Sequence, residues 1–272
     1  MSKILLIAQN TYREAIRDKV LHNVVFLALA LLLFSIVLGD WSVFDRSGVI
    51  KSFGLTISSL SALLLAVFVG IQLLQKEMQR RTLFALLSKP VRRTEFILGK
   101  WIGLMLILAT HLLLMMSAIE LILWFVDGDP GWNMMQAALM IWFEMAILSS
   151  AALLFSTFST PTLSSLFTIG VYIAGHLVVE LEGHIAFTKG MGSFERMPLI
   201  VQWITEKGVG VLNLFFPDLD RFSMTATILH GNSAGLHYAS LIEVGQSFLY
   251  SCCWTALLLG IASMWFSKRD FI

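Results

Sequence analysis

The chain has 272 residues, of which 57% are hydrophobic and only 14% charged, with a mean hydropathy of +0.79. A soluble domain carries about 25% charged residues, so this composition excludes an ordinary cytosolic enzyme. Nineteen lysines and arginines against eighteen aspartates and glutamates give no bulk attraction for nucleic acid, and two adjacent cysteines, Cys252 and Cys253, imply no disulfide framework.

Residues 1–19 read as an amphipathic helix. Ile4, Ala8, Tyr12, Ala15, Ile16 and Lys19 fall on one side of a helical wheel, and Arg13, Glu14, Arg17 and Asp18 fall mostly on another, which predicts a helix lying at a membrane surface. Six apolar blocks follow at residues 20–38, 53–74, 97–126, 134–155, 162–179 and 244–266, each suited to crossing ~30 Å of hydrocarbon. The first has no convincing small-residue cleavage site after it and is read as a retained span, not a signal peptide.

Between the second and third spans, residues 75–96 form a basic loop. Leu83, Leu86 and Leu87 follow helical spacing, Pro90 stops that helix, and Thr94 is placed to cap the next. Such a loop either fixes topology by its charge alone or forms a short rigid helix held between two spans.

Polar groups inside the spans are costly. Glu144 near the middle of the fourth span and His111 near the middle of the third each cost at least ~2.5 kcal/mol at a helix centre unless paired or hydrated. A His111–Glu144 pair, a substrate or proton pathway, and a neutral glutamic acid bonded to backbone are the readings open to them. His176, Glu180 and His184, four apart around the outer end of span five, form a candidate metal set. Against it, the chain lacks an H-E-x-x-H pattern, Glu182-Gly183 is placed to end the helix, and histidine at a membrane edge needs no metal. No bound metal is expected. Gly99, Gly103, Gly170 and Gly175, in or beside spans, read as sites of close helix approach.

Residues 180–243 make the one substantial segment outside the spans, with Gly190, Gly192, Pro198, Trp203, Phe222 and a Phe215-Phe216-Pro217-Asp218 turn. About sixty residues bury little core alone, so a small helical cap resting on the outer ends of the spans is expected. With six spans, Lys3, Arg13, Arg17, Lys19, Lys76, Arg80, Arg81, Lys89, Arg92, Arg93, Lys100, Lys268 and Arg269 share one side, against Arg46, Lys51, Lys189, Arg196, Lys207 and Arg221 on the other. The excess of positive charge puts both termini and the 75–96 loop in the cytoplasm. The expected fold is an all-α polytopic membrane protein: an N-terminal interfacial helix, six transmembrane helices and an extracytoplasmic cap, in one domain over 1–272.

The pattern Glu77, Arg81-Thr82-Leu83, Leu86-Leu87, Ser88-Lys89-Pro90-Val91, Arg93, Glu95 and Gly99-Lys100 resembles the cytoplasmic loop of ABC-2 type transporter permeases. The resemblance extends to the N-terminal helix, the six spans, the Phe155-Ser156-Thr157-Phe158-Ser159-Thr160-Pro161 turn and the insertion before the last span. Many members have a glycine where this chain has Arg81. What the resemblance implies is a coupling helix, in which Glu77, Arg80, Arg81, Thr82, Leu83, Leu86 and Leu87 contact a cytoplasmic ATPase and Pro90 ends the helix.

That ATPase is expected to be a separate subunit, because the chain has no G-x-x-x-x-G-K-[ST] loop. Its Gly99-Lys100 has Thr94 where the first glycine belongs and is followed by Trp101. The chain is therefore not expected to be an enzyme or to bind a cofactor, with ATP and Mg on the partner. The resemblance also implies a second permease copy, a bacterial inner-membrane location and export of a substrate, with a periplasmic partner as a further candidate. Three rivals stand beside this reading: a secondary transporter using Glu144 and His111, an intramembrane metalloenzyme at His176, Glu180 and His184, and a purely mechanical transmitter of ATPase work.

Overall fold

The computed structural model describes residues 3–41, 45–79, 92–126, 133–190, 198, 207–212, 215–223 and 241–268. The long helices are α1 (Lys3–Ile16), α2 (Lys19–Trp41), α3 (Arg46–Gln79), α4 (Arg93–Val126), α5 (Asn133–Phe158), α6 (Pro161–Gly190) and α7 (Leu241–Lys268), with a 3-10 turn at Asp220–Phe222. Among the described residues there is no strand. Among the described residues, six helices, α2 to α7, are long and apolar enough to cross a membrane, where the six apolar blocks lie.

Local chemistry sets the helix ends. Asp18 accepts the Val20 amide at 2.9 Å ahead of α2, and Asp45 accepts the Gly48 amide at 2.7 Å ahead of α3, each satisfying an amide that the first turn leaves without a partner. Pro161 opens α6, where its missing N–H costs nothing. Thr94, expected as the cap of the third span, lies inside the first turn of α4. The helix starts at Arg93, and Glu95 Oε2 instead accepts the Arg92 amide at 2.9 Å. α6 continues past residue 183 to Gly190, so Glu182-Gly183 does not stop it. No proline interrupts that stretch, and a lone glycine costs a helix only ~1 kcal/mol.

α3, α4 and α5 form the centre, where Leu65, Ala66, Leu104, Leu108, Met115, Ile147 and Leu148 are fully buried. α2 packs on α3, α7 on α5, α6 along α5 and α3, and α1 on α4. Phe26 and Phe34 of α2, Leu166 and Ile173 of α6, and Leu249 and Trp265 of α7 are exposed; such surface is compatible with hydrocarbon. Buried hydroxyls bond their own helix backbone, as with Ser58 to Gly54 O at 2.7 Å and Ser150 to Ile147 O at 2.6 Å, which removes the cost of a bare polar group in lipid. Others tie helices together. Trp101 donates to Ser149 at 3.1 Å, Trp142 to Met105 O at 3.1 Å and Ser251 to Phe143 O at 2.8 Å.

Of the expected cap, residues 180–190 belong to α6, while 215–223 fold back onto the bundle and place Leu219 and Phe222 in its core. The two ends of the bundle thus differ. One, termed the basic end, carries α1 and the roots of the 80–91 segment; the other, the far end, carries the 215–223 turn.

Candidate functional site

At the basic end, the side chain of Glu77 and the whole of Arg80, Arg81, Thr82, Leu83, Leu86, Leu87 and Pro90 lie outside the described residues. What is described is the frame from which that segment emerges. On the α3 side, Lys76 Nζ meets Asp18 Oδ2 at 2.6 Å. The lysine's hydrogen bond holds the Asp18 carboxyl below its ordinary value of 3.8, against the opposing effect of its partial burial. Gln75 Nε2 donates to Ser159 O at 2.9 Å and Ser156 O at 3.3 Å, serving carbonyls that the C-terminal end of α5 leaves open.

On the α4 side, Arg93 donates to Phe266 O at 2.9 Å near the C-terminal end of α7, where a cation also suits the helix dipole. Lys100 is buried, 2% exposed, with its ammonium 3.8 Å from Glu14 of α1 and 5.8 Å from the Phe96 ring. Phe96 stacks on Phe266 with centroids 6.0 Å apart.

Helix α1 crosses α4 at Gly99 and Gly103. A Cβ at Gly99 would lie 2.7 Å from Ile7 Cβ, and one at Gly103 would lie 2.6 Å from Thr11 Cβ. Only a hydrogen in place of a side chain lets the backbones approach so closely. Through these contacts α1 is held against the root of α4, and Asp18 at its end is tied to the root of α3.

The second locus lies in the far half of the bundle. At 1.5 Å per residue, Glu144 is about 21 Å along α5 from Phe158, and His176 is about 22 Å along α6 from Pro161. The two meet: His176 Nε2 lies 3.0 Å from Glu144 Oε1, and His176 Nδ1 lies 4.0 Å from Asp220 Oδ1 of the 3-10 turn. Tyr172, one turn before His176, stands edge-on to the imidazole with centroids 4.7 Å apart, and shares a cavity wall with Ser59 of α3. Glu144, Tyr172, His176 and Ser59 border this cavity of about 170 Å³, whose walls also include Thr56 and Phe222. The turn is seated by Gly175, where a Cβ would lie 2.7 Å from Leu219 Cγ, and by the Asp218 amide, which donates to Tyr250 Oη at 2.8 Å.

Two candidate groupings raised by the sequence are not formed. His111 and Glu144 do not pair. His111 Nε2 bonds Ser61 Oγ at 2.8 Å between α3 and α4, whereas Glu144 faces α6. Their shared depth could not reveal which face of each helix they occupy. His176 does not converge with Glu180 and His184 either. It turns to Glu144 and Asp220 while those two are exposed, and among the described residues no three metal-ligating side chains are grouped to hold an ion. Spacing of four along a helix sets a common face, but α5 and the 3-10 turn occupy that face at His176.

Reasoning from sequence missed Ser59, Tyr172 and Asp220. Tyr172 carried a usable signal, the i, i+4 spacing to His176; Asp220 carried none, since its position depends on a fold-back more than forty residues later in the chain.

A sequence model of the family described as "ABC-2 family transporter protein" matches residues 5–271. No curated protein matches the chain.

Proposed function

We propose, from the premise that this chain belongs to the ABC-2 transporter family, that a separate ATPase subunit grips residues 77–87 and drives export of a substrate through the bundle. Membership makes the chain a multi-pass membrane permease of an ATP-binding cassette transporter, whose hydrolytic partner is another polypeptide. The finer reading places the basic end in the cytoplasm of a bacterium, at its inner membrane. It is supported by the thirteen basic residues that a six-span topology puts on that side, against six on the other. ATP and Mg belong to the ATPase. A second permease copy would complete the transporter against the exposed apolar faces of α2 and α6, the least buried spans.

The observation that carries the proposal is the frame at the basic end. A motor that works through a loop needs its displacement delivered to the spans, not absorbed in slack. α3 and α4 enter that loop as continuous helices. Lys76 is held by Asp18, Lys100 by Glu14, Gln75 by the end of α5 and Arg93 by the end of α7. A push on residues 77–87 would therefore reach five helices together.

The test replaces Glu77, Arg80 and Arg81 together by alanine. Membrane insertion should be unchanged, since none of the three lies in an apolar block, while co-purification with the ATPase should be lost. Retention of the ATPase by the triple variant would refute the coupling assignment.

A further inference from the structure

The far cavity has a chemistry that the export reading leaves unused. Glu144 is 4% exposed and lies on the cavity wall. Its Oε1 is taken by His176, and among the described residues its Oε2 receives no hydrogen bond. A carboxylate held at that depth in a spanning helix is expensive unless a charge or water meets it. Asp220 adds a second carboxylate beside His176, so with the imidazole protonated and both carboxylates ionised the three groups carry one net negative charge.

Among the described residues no lysine or arginine lines the cavity. Besides Glu144 and His176, the polar wall has the hydroxyl-bearing Thr56, Ser59, Tyr172 and Ser223, and Tyr172 and Phe222 add aromatic rings to the same lining. A carboxylate flanked by aromatic rings and hydroxyls is the environment that holds a substituted ammonium, through its charge, its N–H groups where present and its alkyl surface. An anion would be repelled. A metal ion would have only one histidine, already hydrogen-bonded to Glu144.

We propose that the cavity between α3, α5, α6 and the Asp220–Phe222 turn binds an organic ammonium group, with Glu144 as its counter-ion. Its volume, about 170 Å³, is close to that of an engineered cavity of about 150 Å³ that accepts benzene, so the group is of ethanolamine or choline size. The ammonium belongs either to a free amine or to a lipid headgroup. The site stands on its own geometry; only its use as a cargo site would rest on the permease reading.

The test uses the full chain in phosphatidylglycerol nanodiscs, which contain no amine, titrated with ethanolamine hydrochloride or choline chloride. Tm is read against matched sodium chloride and against ethylene glycol. Both amines should raise Tm saturably, and neither the salt nor the neutral diol should do so. Glu144→Gln keeps the shape and can still accept from His176, so the variant should fold with a Tm no lower than the parent's in the absence of amine. It should bind either amine about tenfold more weakly or worse, because the carboxylate charge that meets the ammonium is gone. Ile141→Phe, which fills the cavity while leaving Glu144 in place, should also block the shift.

Nanodiscs with phosphatidylethanolamine separate the two sources. A headgroup site would show a Tm already raised in a Glu144-dependent way and no longer responsive to added choline; a free-amine site would respond alike in both lipids. Equal shifts with the neutral diol, or unchanged amine binding in both variants, would overturn the proposal. No ATPase enters the measurement, so such a failure would leave the coupling reading untouched, and failure of the triple-variant test would leave this site standing.

Discussion

Four glycines look alike in the sequence, each in or beside an apolar block, and the structure divides them by what a methyl group would meet. At Gly103 it would lie 2.6 Å from Thr11 Cβ and 2.9 Å from Ala8 O, a backbone atom that cannot rotate away; at Gly170 nothing lies within 4 Å. Gly103→Ala should therefore cost ~1–3 kcal/mol through overpacking, whereas Gly170→Ala should be neutral or stabilising by up to ~1 kcal/mol from helix propensity. Thermal unfolding of the two variants in one detergent measures the difference, and equal effects would show that α1 does not cross α4 as described. The residue scale is also where the sequence was least legible. It marked Glu144 and His111 as groups needing partners, because burial of charge is costly wherever it occurs, and His176 only as one of a candidate metal set. It could not choose among their partners, because the partner is set by which helices are neighbours, and α5 lies against α6 as well as α4.

At the scale of elements, the six spans were legible because hydropathy over about twenty residues is a property of the segment and needs no neighbour. The seat of α1 was not, since an amphipathic pattern states only that one face is apolar. In the structure that face is used on protein: Ala8, Thr11 and Ala15 are buried, while Leu5 and Leu6 remain exposed. Asp18, at the junction of α1 and α2, then does two things at once, capping α2 through Oδ1 and meeting Lys76 through Oδ2. Asp18→Asn keeps a side-chain oxygen for the cap and removes only the ion pair, so its cost should be small, ~0.5–1 kcal/mol, because Lys76 is partly exposed. The pH dependence has a definite sign. Lys76 holds the folded-state Asp18 below its ordinary value of 3.8, so the stabilisation is present above that value and is lost as pH falls through the lowered one. The stability gap between parent and variant should stay constant from about pH 8 to about pH 5 and close below about pH 4. A gap that opened on acidification instead would contradict the ion pair.

At the scale of the whole molecule, α3 joins the two loci. It is a continuous helix from Arg46 to Gln79, long enough at 1.5 Å per residue to reach about 50 Å. It carries Lys76 and Gln75 at the basic end, and Thr56 and Ser59 on the cavity wall about 25 Å away. The helix contains no proline, and the two buried glycines beyond its first turn are both packed, Gly54 against Ile119 and Leu32 and Gly70 against Leu104, so neither provides a hinge. A displacement imposed on residues 77–87 should move the wall of the cavity that faces Glu144 and Tyr172. If the ATPase has two nucleotide states and the cavity binds an ammonium group, the two sites share this helix and their affinities must be linked, with the same factor acting in both directions. In the assembled complex, choline should then bind with different affinity in the presence of a non-hydrolysable ATP analogue and in its absence, by about fivefold or more if coupling reaches the usual ~1 kcal/mol. Titration calorimetry on the complex in both states measures the ratio. Amine binding of equal affinity in the two states would mean that the α3 wall does not move with the motor, and that the far cavity is a static site.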